Sequence, residues 1–322
     1  MKLKKILPII GQWIALSIIM LLLWMITMGI MTSLLIGGTG SSSEASAGVL
    51  LGMAAVCFIN TAVIMYLILR SRWRGIKLVA FVAFVHYIVQ FFMGGVEAIF
   101  FQSSLKIPLK LVYAQLASGA VFALLFALIA ALILGRMKPP KEAPAAPNMQ
   151  LIMPKGEFIL KYLILSLIVY PLLYFLFGYF VAWQFPAVRE FYSGSAVLAP
   201  FFQFIRTQLA ANSLLVFWQM ARGAVWVLAA LPVIRMMNGT AREVAVTLGL
   251  IFALVMNSLH IPPNPYMPGM VRFAHFIETA SSNFLWGMLI VWLFHRRHAS
   301  IPDLLRKQAK QVSLKPAPQE KS

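Results

Sequence analysis

Nine side chains that ordinarily belong in water sit inside stretches that are otherwise apolar: His86, Gln90, Glu97, Gln219, Arg222, Arg272, His275, Glu278 and Asn283. An ionisable group near the centre of a bilayer costs about 2.5–3.5 kcal/mol on insertion scales, so each needs a partner or a task. Their spacing tells which faces they share. On a helix turning about 100° per residue, His86, Gln90 and Glu97 fall within about 40° of one another. Asn212, Gln219, Arg222 and Trp226 occupy one face of a later stretch, and Gly223 beside them lets another helix approach closely. A third stretch is richest. Arg272, His275, Thr279, Ser282, Asn283 and Trp286 cover an arc of about 100°, with Glu278 on its edge.

Several chemistries fit these residue types. Arg222 and Arg272 with His275 make a positive pocket suited to a carboxylate, a phosphate or a lipid headgroup. His275 and the glutamates are groups that carry protons where transport is proton-coupled. His275, Glu278, His86 and Glu97 are metal-ligand types, but the chain has no HExxH and its one local pair is a bare His-x-x-Glu, so no metal is expected. Ser281 or Ser282 with His275 would suit nucleophilic hydrolysis, yet both serines lie in a small-residue packing stretch. Gly194-Ser195 lacks the full GxSxG elbow. No nucleotide-binding loop is present and no cofactor is expected. The plainer alternative is that these groups hold helices together, Arg222 pairing with Glu97 or Glu278 and the amides and hydroxyls adding about 0.6 kcal/mol each.

The elements that must position these residues follow from composition. The chain has 322 residues, 61% hydrophobic and 11% charged. A soluble domain carries about a quarter charged residues, so this one cannot cover itself with a water-facing surface. Apolar runs long enough for about 30 Å of hydrocarbon recur at roughly 12–36, 48–69, 76–100, 111–134, 158–182, 213–235, 241–260 and 272–294. The expectation is an all-α, polytopic integral membrane protein of about eight transmembrane helices. The first run is longer than the 7–15 residues of a signal h-region, so despite Ala45-Ser46-Ala47 it reads as a retained helix. Gly37 to Gly48 then forms an outer loop.

Charge sets the orientation. Twenty-one Lys and Arg lie on the side holding the N-terminus, the 70–77 loop, the 136–161 region, Arg235, Arg242 and the tail after His295. Five lie on the other side, and Arg222 is inside a helix. The positive-inside bias places the first side, with both termini, in the cytoplasm, as expected for a bacterial inner membrane protein. The net charge of +18 then serves topology and anionic lipids on the cytoplasmic face. No basic helix with interleaved aromatics stands outside the membrane, which excludes a nucleic-acid surface. Cys57, the one cysteine, reads as a small buried hydrophobe.

Residues 135–157, with five prolines, read as an extended cytoplasmic linker. It separates a first four-helix half (1–134) from a second (158–294), followed by a basic tail (295–322). Ser103-Ser104-Leu105-Lys106-Ile107-Pro108 and Asn257-Ser258-Leu259-His260-Ile261-Pro262 faintly echo one another at matching positions of the two halves, which a parallel duplication would explain. Ala199 to Asn212 is too short and polar to span and reads as a surface amphipathic or re-entrant helix. His260 to Met270, rich in proline, forms a rigid outer turn. Pro171 and Pro232 are expected to kink their helices. With the cytoplasmic side so fixed, one polar pocket is expected in the outer half, lined by the third, sixth and eighth helices. A transporter or a binder of a small anionic or headgroup ligand fits it best. An intramembrane enzyme acting at the outer leaflet, or an accessory subunit without a site, are the alternatives.

Overall fold

In the computed structural model, residues 3–36, 46–138, 151, 153–256 and 260–295 are described, and among them the chain is all-helical with no strand. In chain order the helices of eight or more residues are α1 (Leu3–Ile36), α2 (Ala47–Arg70), α3 (Gly75–Phe100), α4 (Leu109–Ile133), α5 (Lys155–Gln184), α6 (Pro186–Ser193), α7 (Phe201–Ala211), α8 (Leu215–Met236), α9 (Ala241–Leu250, extended by a π turn over Ile251–Val255) and α10 (Gly269–His295). Seven of these, α1 to α5 with α8 and α10, are long and apolar enough to cross a membrane. Even the 22-residue α8 reaches roughly 33 Å at about 1.5 Å per residue. Of the expected helix over 241–260, residues 257–259 lie outside the described ones and 241–255 form α9. Its described part, ten residues and a five-residue turn, falls short of that length. Most of the outer loop (37–45), most of the proline linker (139–150 and 152), the 257–259 part of the internal echo and the tail from 296 lie outside the described residues.

α1 packs on α2 and α4, and α3 packs on α4; α8 and α10 pack on each other and each packs on α5 and α9. α2 against the π turn of α9, and α3 against α8, join these two groups. The basic loops meet at one end. There the Arg136 guanidinium donates to the carbonyls of Ile68 (3.1 and 3.0 Å) and Ser71 (2.7 Å), capping the C-terminus of α2. Arg72 N donates to Met236 O at 2.7 Å and Asn238 N to Arg70 O at 2.8 Å, so the turns after α2 and α8 pair through their backbones. Arg70 pairs with Glu243, whose carboxylate also accepts from the Tyr66 hydroxyl at 2.8 Å. At the opposite end the start of α2 lies against the proline turn, with Pro262 backbone atoms over Gly52.

Two glycines permit the contacts that shape the second group. A Cβ at Gly223 would stand 2.7 Å from Ser166 O, and one at Gly287 would stand 2.7 Å from Gly249 N. Only bare backbone fits at such separations. Ser166 belongs to a π turn over Leu165–Val169, directly before Pro171. The wider turn accommodates a residue that has no N–H to give and whose ring crowds the preceding carbonyls. Pro232 lies within α8, which continues past it to Met236. Phe201–Ala211 forms an eleven-residue helix, too short to cross, with Phe204 its buried anchor against Trp183 and Tyr179.

Candidate functional site

Arg222 is the centre of the polar cluster. It sits seven residues into α8, about 10 Å from that helix's start, and its side chain is only 4% exposed. A guanidinium so enclosed costs several kcal/mol unless paired. Nη2 donates to Glu97 Oε2 at 2.8 Å, across from α3. Nη1 donates at 3.0 Å to Gln219 Oε1, one turn earlier on the same face. The Tyr170 ring lies 5.9 Å from the guanidinium carbon, at the edge of cation–π range. The Tyr170 hydroxyl in turn accepts from Trp226 Nε1 at 3.0 Å, and its ring meets that of Trp286 at 5.3 Å.

A second pair stands beside the first. His275 Nδ1 is 2.8 Å from Glu278 Oε2, the neighbour that a spacing of three on α10 provides. On its other side, Nε2 is 3.1 Å from the hydroxyl of Tyr192 on α6. Burial, and then the charges of Glu278 and Glu97, push the Tyr192 hydroxyl above its ordinary pKa.

Between the pairs lies a small cavity. Glu97 from α3, Tyr170 and Tyr174 from α5, Arg222 from α8, and Glu278, Asn283 and Trp286 from α10 line it. The space for water centres is about 40 Å³. One water needs roughly 10–15 Å³ by that measure, so a few waters or one carboxylate- or phosphate-sized group fit. Among the described residues, three buried donors here have no acceptor: Arg222 Nε, Gln219 Nε2 and Trp286 Nε1. Buried N–H groups left so are costly, which makes the cavity a place that favours acceptors.

The nine polar residues read from the sequence divide three ways. Glu97, Arg222, Glu278 and Asn283 line the cavity, while Gln219 and His275 hold two of those residues from behind. Arg272 turns away and donates through Nη1 to the carbonyls of His260, Ile261 and Pro262, fastening the proline turn rather than lining the cavity. His86 and Gln90 form a separate cluster with Asn60 of α2: Gln90 Oε1 accepts from Asn60 Nδ2 at 3.0 Å and lies 2.6 Å from His86 Nε2. Phe122 and Phe126 close over this cluster, which Gln90 joins from a π turn, Ile88–Phe92. The serines do not address His275: Ser281 Oγ donates to Ile277 O at 2.7 Å, and Ser282 Oγ to Thr279 O at 3.3 Å.

Tyr170, Tyr174, Tyr192 and Asn60 are absent from the sequence reading of the site. The spacing of Tyr170, Leu173 and Tyr174 marks one helical face, and this was the available signal. Tyrosines in an apolar run are ordinarily read as interfacial anchors, which hides a polar role deeper in.

Fold and site together define a chain that is all-helical over its described residues, with helices apolar and long enough for a multi-pass membrane protein, and with an Arg222–Glu97 ion pair and a His275–Glu278 hydrogen bond beside a small internal cavity. No protein-family model, curated protein or solved structure matches the chain.

Proposed function

We propose that the chain is a plasma-membrane protein of eight crossing helices in two four-helix halves, with both termini cytoplasmic, and that its pocket binds a small ligand through an anionic, acceptor-bearing group. A transporter or a ligand-binding membrane protein uses such a pocket. The observation that carries this reading is that two residues of the cavity lining, Arg222 and Trp286, hold buried donors, Nε and Nε1, without an acceptor among the described residues, as does Gln219 Nε2 beside Arg222. A carboxylate, a phosphate or a lipid headgroup supplies what they lack. Supporting the eight-helix topology, α9 starts at the basic end, where Glu243 meets Arg70, and the chain after it reaches the opposite end, where Pro262 lies over Gly52. With α9 counted as a crossing, the basic loops gathered at one end all fall on the cytoplasmic side.

The test is thermal unfolding of the full chain in lipid nanodiscs with inorganic phosphate, acetate or glycerol phosphate. A bound ligand at about 100 times its Kd adds about 2.7 kcal/mol of stability. At least one of these compounds should stabilise the protein, and Arg222→Lys, which keeps the charge but loses the planar donor fork, should abolish the gain. Equal stabilisation of both proteins, or of neither, contradicts the reading. A stabilising compound is then tested for uptake in proteoliposomes, which separates transport from binding.

A further inference from the structure

We propose that Tyr192, His275 and Glu278 form a proton relay joining the surface beyond the end of α5 to the pocket. The three touch end to end. Tyr192 lies on α6, outside the membrane-crossing helices, and is 37% exposed. Its hydroxyl is 3.1 Å from His275 Nε2, and His275 Nδ1 is 2.8 Å from Glu278 Oε2. Glu278 is 8% exposed and lines the cavity. Two hydrogen bonds therefore connect a partly exposed tyrosine to a buried carboxylate.

The polarity of the chain follows from its inner end. A carboxylate only accepts, so Nδ1 carries the imidazole hydrogen and Nε2 accepts from the Tyr192 hydroxyl. A proton arriving from surface water on the Tyr192 oxygen releases the hydroxyl proton to Nε2. The imidazolium then gives its Nδ1 proton to Glu278 Oε2. Each O–H or N–H bond formed is matched by one broken, and the net change is one proton moved from water to Glu278. Reversal, or rotation of the imidazole, resets the tautomer. Because burial and the nearby carboxylates hold the Tyr192 hydroxyl protonated, it conducts without ionising.

The other charged groups around His275 leave these two bonds intact. The His260 ring lies 6.4 Å from that of His275. Arg272 is turned to the 260–262 carbonyls, Arg189 of α6 is held by the carbonyls of Trp183 and Ala196, and Glu190 is exposed. Glu97, across the cavity, is held by Arg222.

Protonating Glu278 removes one negative charge from a lining whose donors lack acceptors. The relay would thus couple anion binding to outer pH, tightening it as that pH falls. This consequence rests on the ligand-binding reading above; the relay's own test does not.

The experiment is an acid jump applied outside vesicles holding the full chain, read by the infrared C=O stretch of the protonated carboxyl. Glu278→Gln should remove the assigned band. Tyr192→Phe keeps the ring and its edge contact with His275 but deletes the hydroxyl. It should slow the rise of the band about a hundredfold, the lower end of what a positioned proton carrier contributes, while leaving the pH midpoint in place. A merely structural tyrosine would move the midpoint and spare the rate. His275→Asn, which retains a donor for Glu278 but cannot shuttle, should slow the rise likewise. An unchanged rate in Tyr192→Phe, or a band that survives Glu278→Gln, overturns the relay. Phosphate and glycerol phosphate binding, measured separately, shows whether the pocket reading stands or falls with it.

Discussion

Breaking the Glu97–Arg222 pair tests the energetic heart of the site. Glu97→Gln preserves size and removes one charge, leaving Arg222, 4% exposed, with neutral amide oxygens, that of the new side chain and that of Gln219, in place of a carboxylate. Removing one member of a buried pair costs about 3–5 kcal/mol. Glu97 is 29% exposed, so water partly screens the pair and the lower end, about 3 kcal/mol, is the expected loss. Arg222→Met alone should cost less, because the carboxylate it strands can turn to water. The double variant, Glu97→Gln with Arg222→Met, strands no charge and should recover most of the loss, giving a coupling of about 2 kcal/mol in a double-mutant cycle. The assay is reversible unfolding of the full chain in mixed micelles, followed by tryptophan fluorescence. Additive losses, with no coupling between the positions, would refute the pairing. The double variant also separates two roles: a folded protein that no longer binds phosphate or glycerol phosphate shows that the pair serves a ligand as well as the fold.

Two further outcomes follow from contacts elsewhere. Gly287→Val places carbon 2.7 Å from the Gly249 nitrogen, forcing α9 and α10 apart; it should lower stability by about 2–4 kcal/mol, whereas Gly29→Ala, with open space around it, should stay within about 0.5 kcal/mol of the parent. On a Cys57→Ser background, a cysteine at Tyr266 should react with an impermeant thiol reagent from outside intact cells and one at Lys138 should not; the reverse pattern would invert the topology.

Much of the helical framework was legible in the sequence because hydrocarbon thickness imposes one length on every crossing and charge marks the loops between. The boundaries expected at 48–69, 111–134 and 213–235 differ from α2, α4 and α8 by one or two residues at each end. Partner choice was less legible. The periodicity of α10 puts Arg272 and His275 on one arc, yet the first reaches the proline turn and the second Tyr192, because a long guanidinium goes to whichever carbonyls the following fold brings near. Likewise His86, Gln90 and Glu97 share a face of α3, but that face is long. Its first part meets Asn60 of α2 and its last part meets Arg222 of α8. A face read from one helix cannot tell that two different neighbours divide it.

That division changes what the pocket's charge can do. Arg222 and Arg272 with His275 suggest a strongly positive site, but Arg272 is occupied elsewhere and the two glutamates stand against Arg222 and His275. An anion entering the pocket would meet an arginine already matched by a carboxylate, not an open positive lining. It would find Arg222 Nε without an acceptor among the described residues and would have to share or displace Glu97 to reach Nη2. Glu97, less buried than Arg222, is the member with room to move. Glu97 would then act as an internal competitor: it keeps Arg222 neutralised without ligand and weakens the binding of any anion too feeble to take its place. Glu97→Gln should accordingly tighten phosphate or glycerol phosphate binding even as it destabilises the protein, and opposite signs of these two effects cannot arise from loss of folding alone.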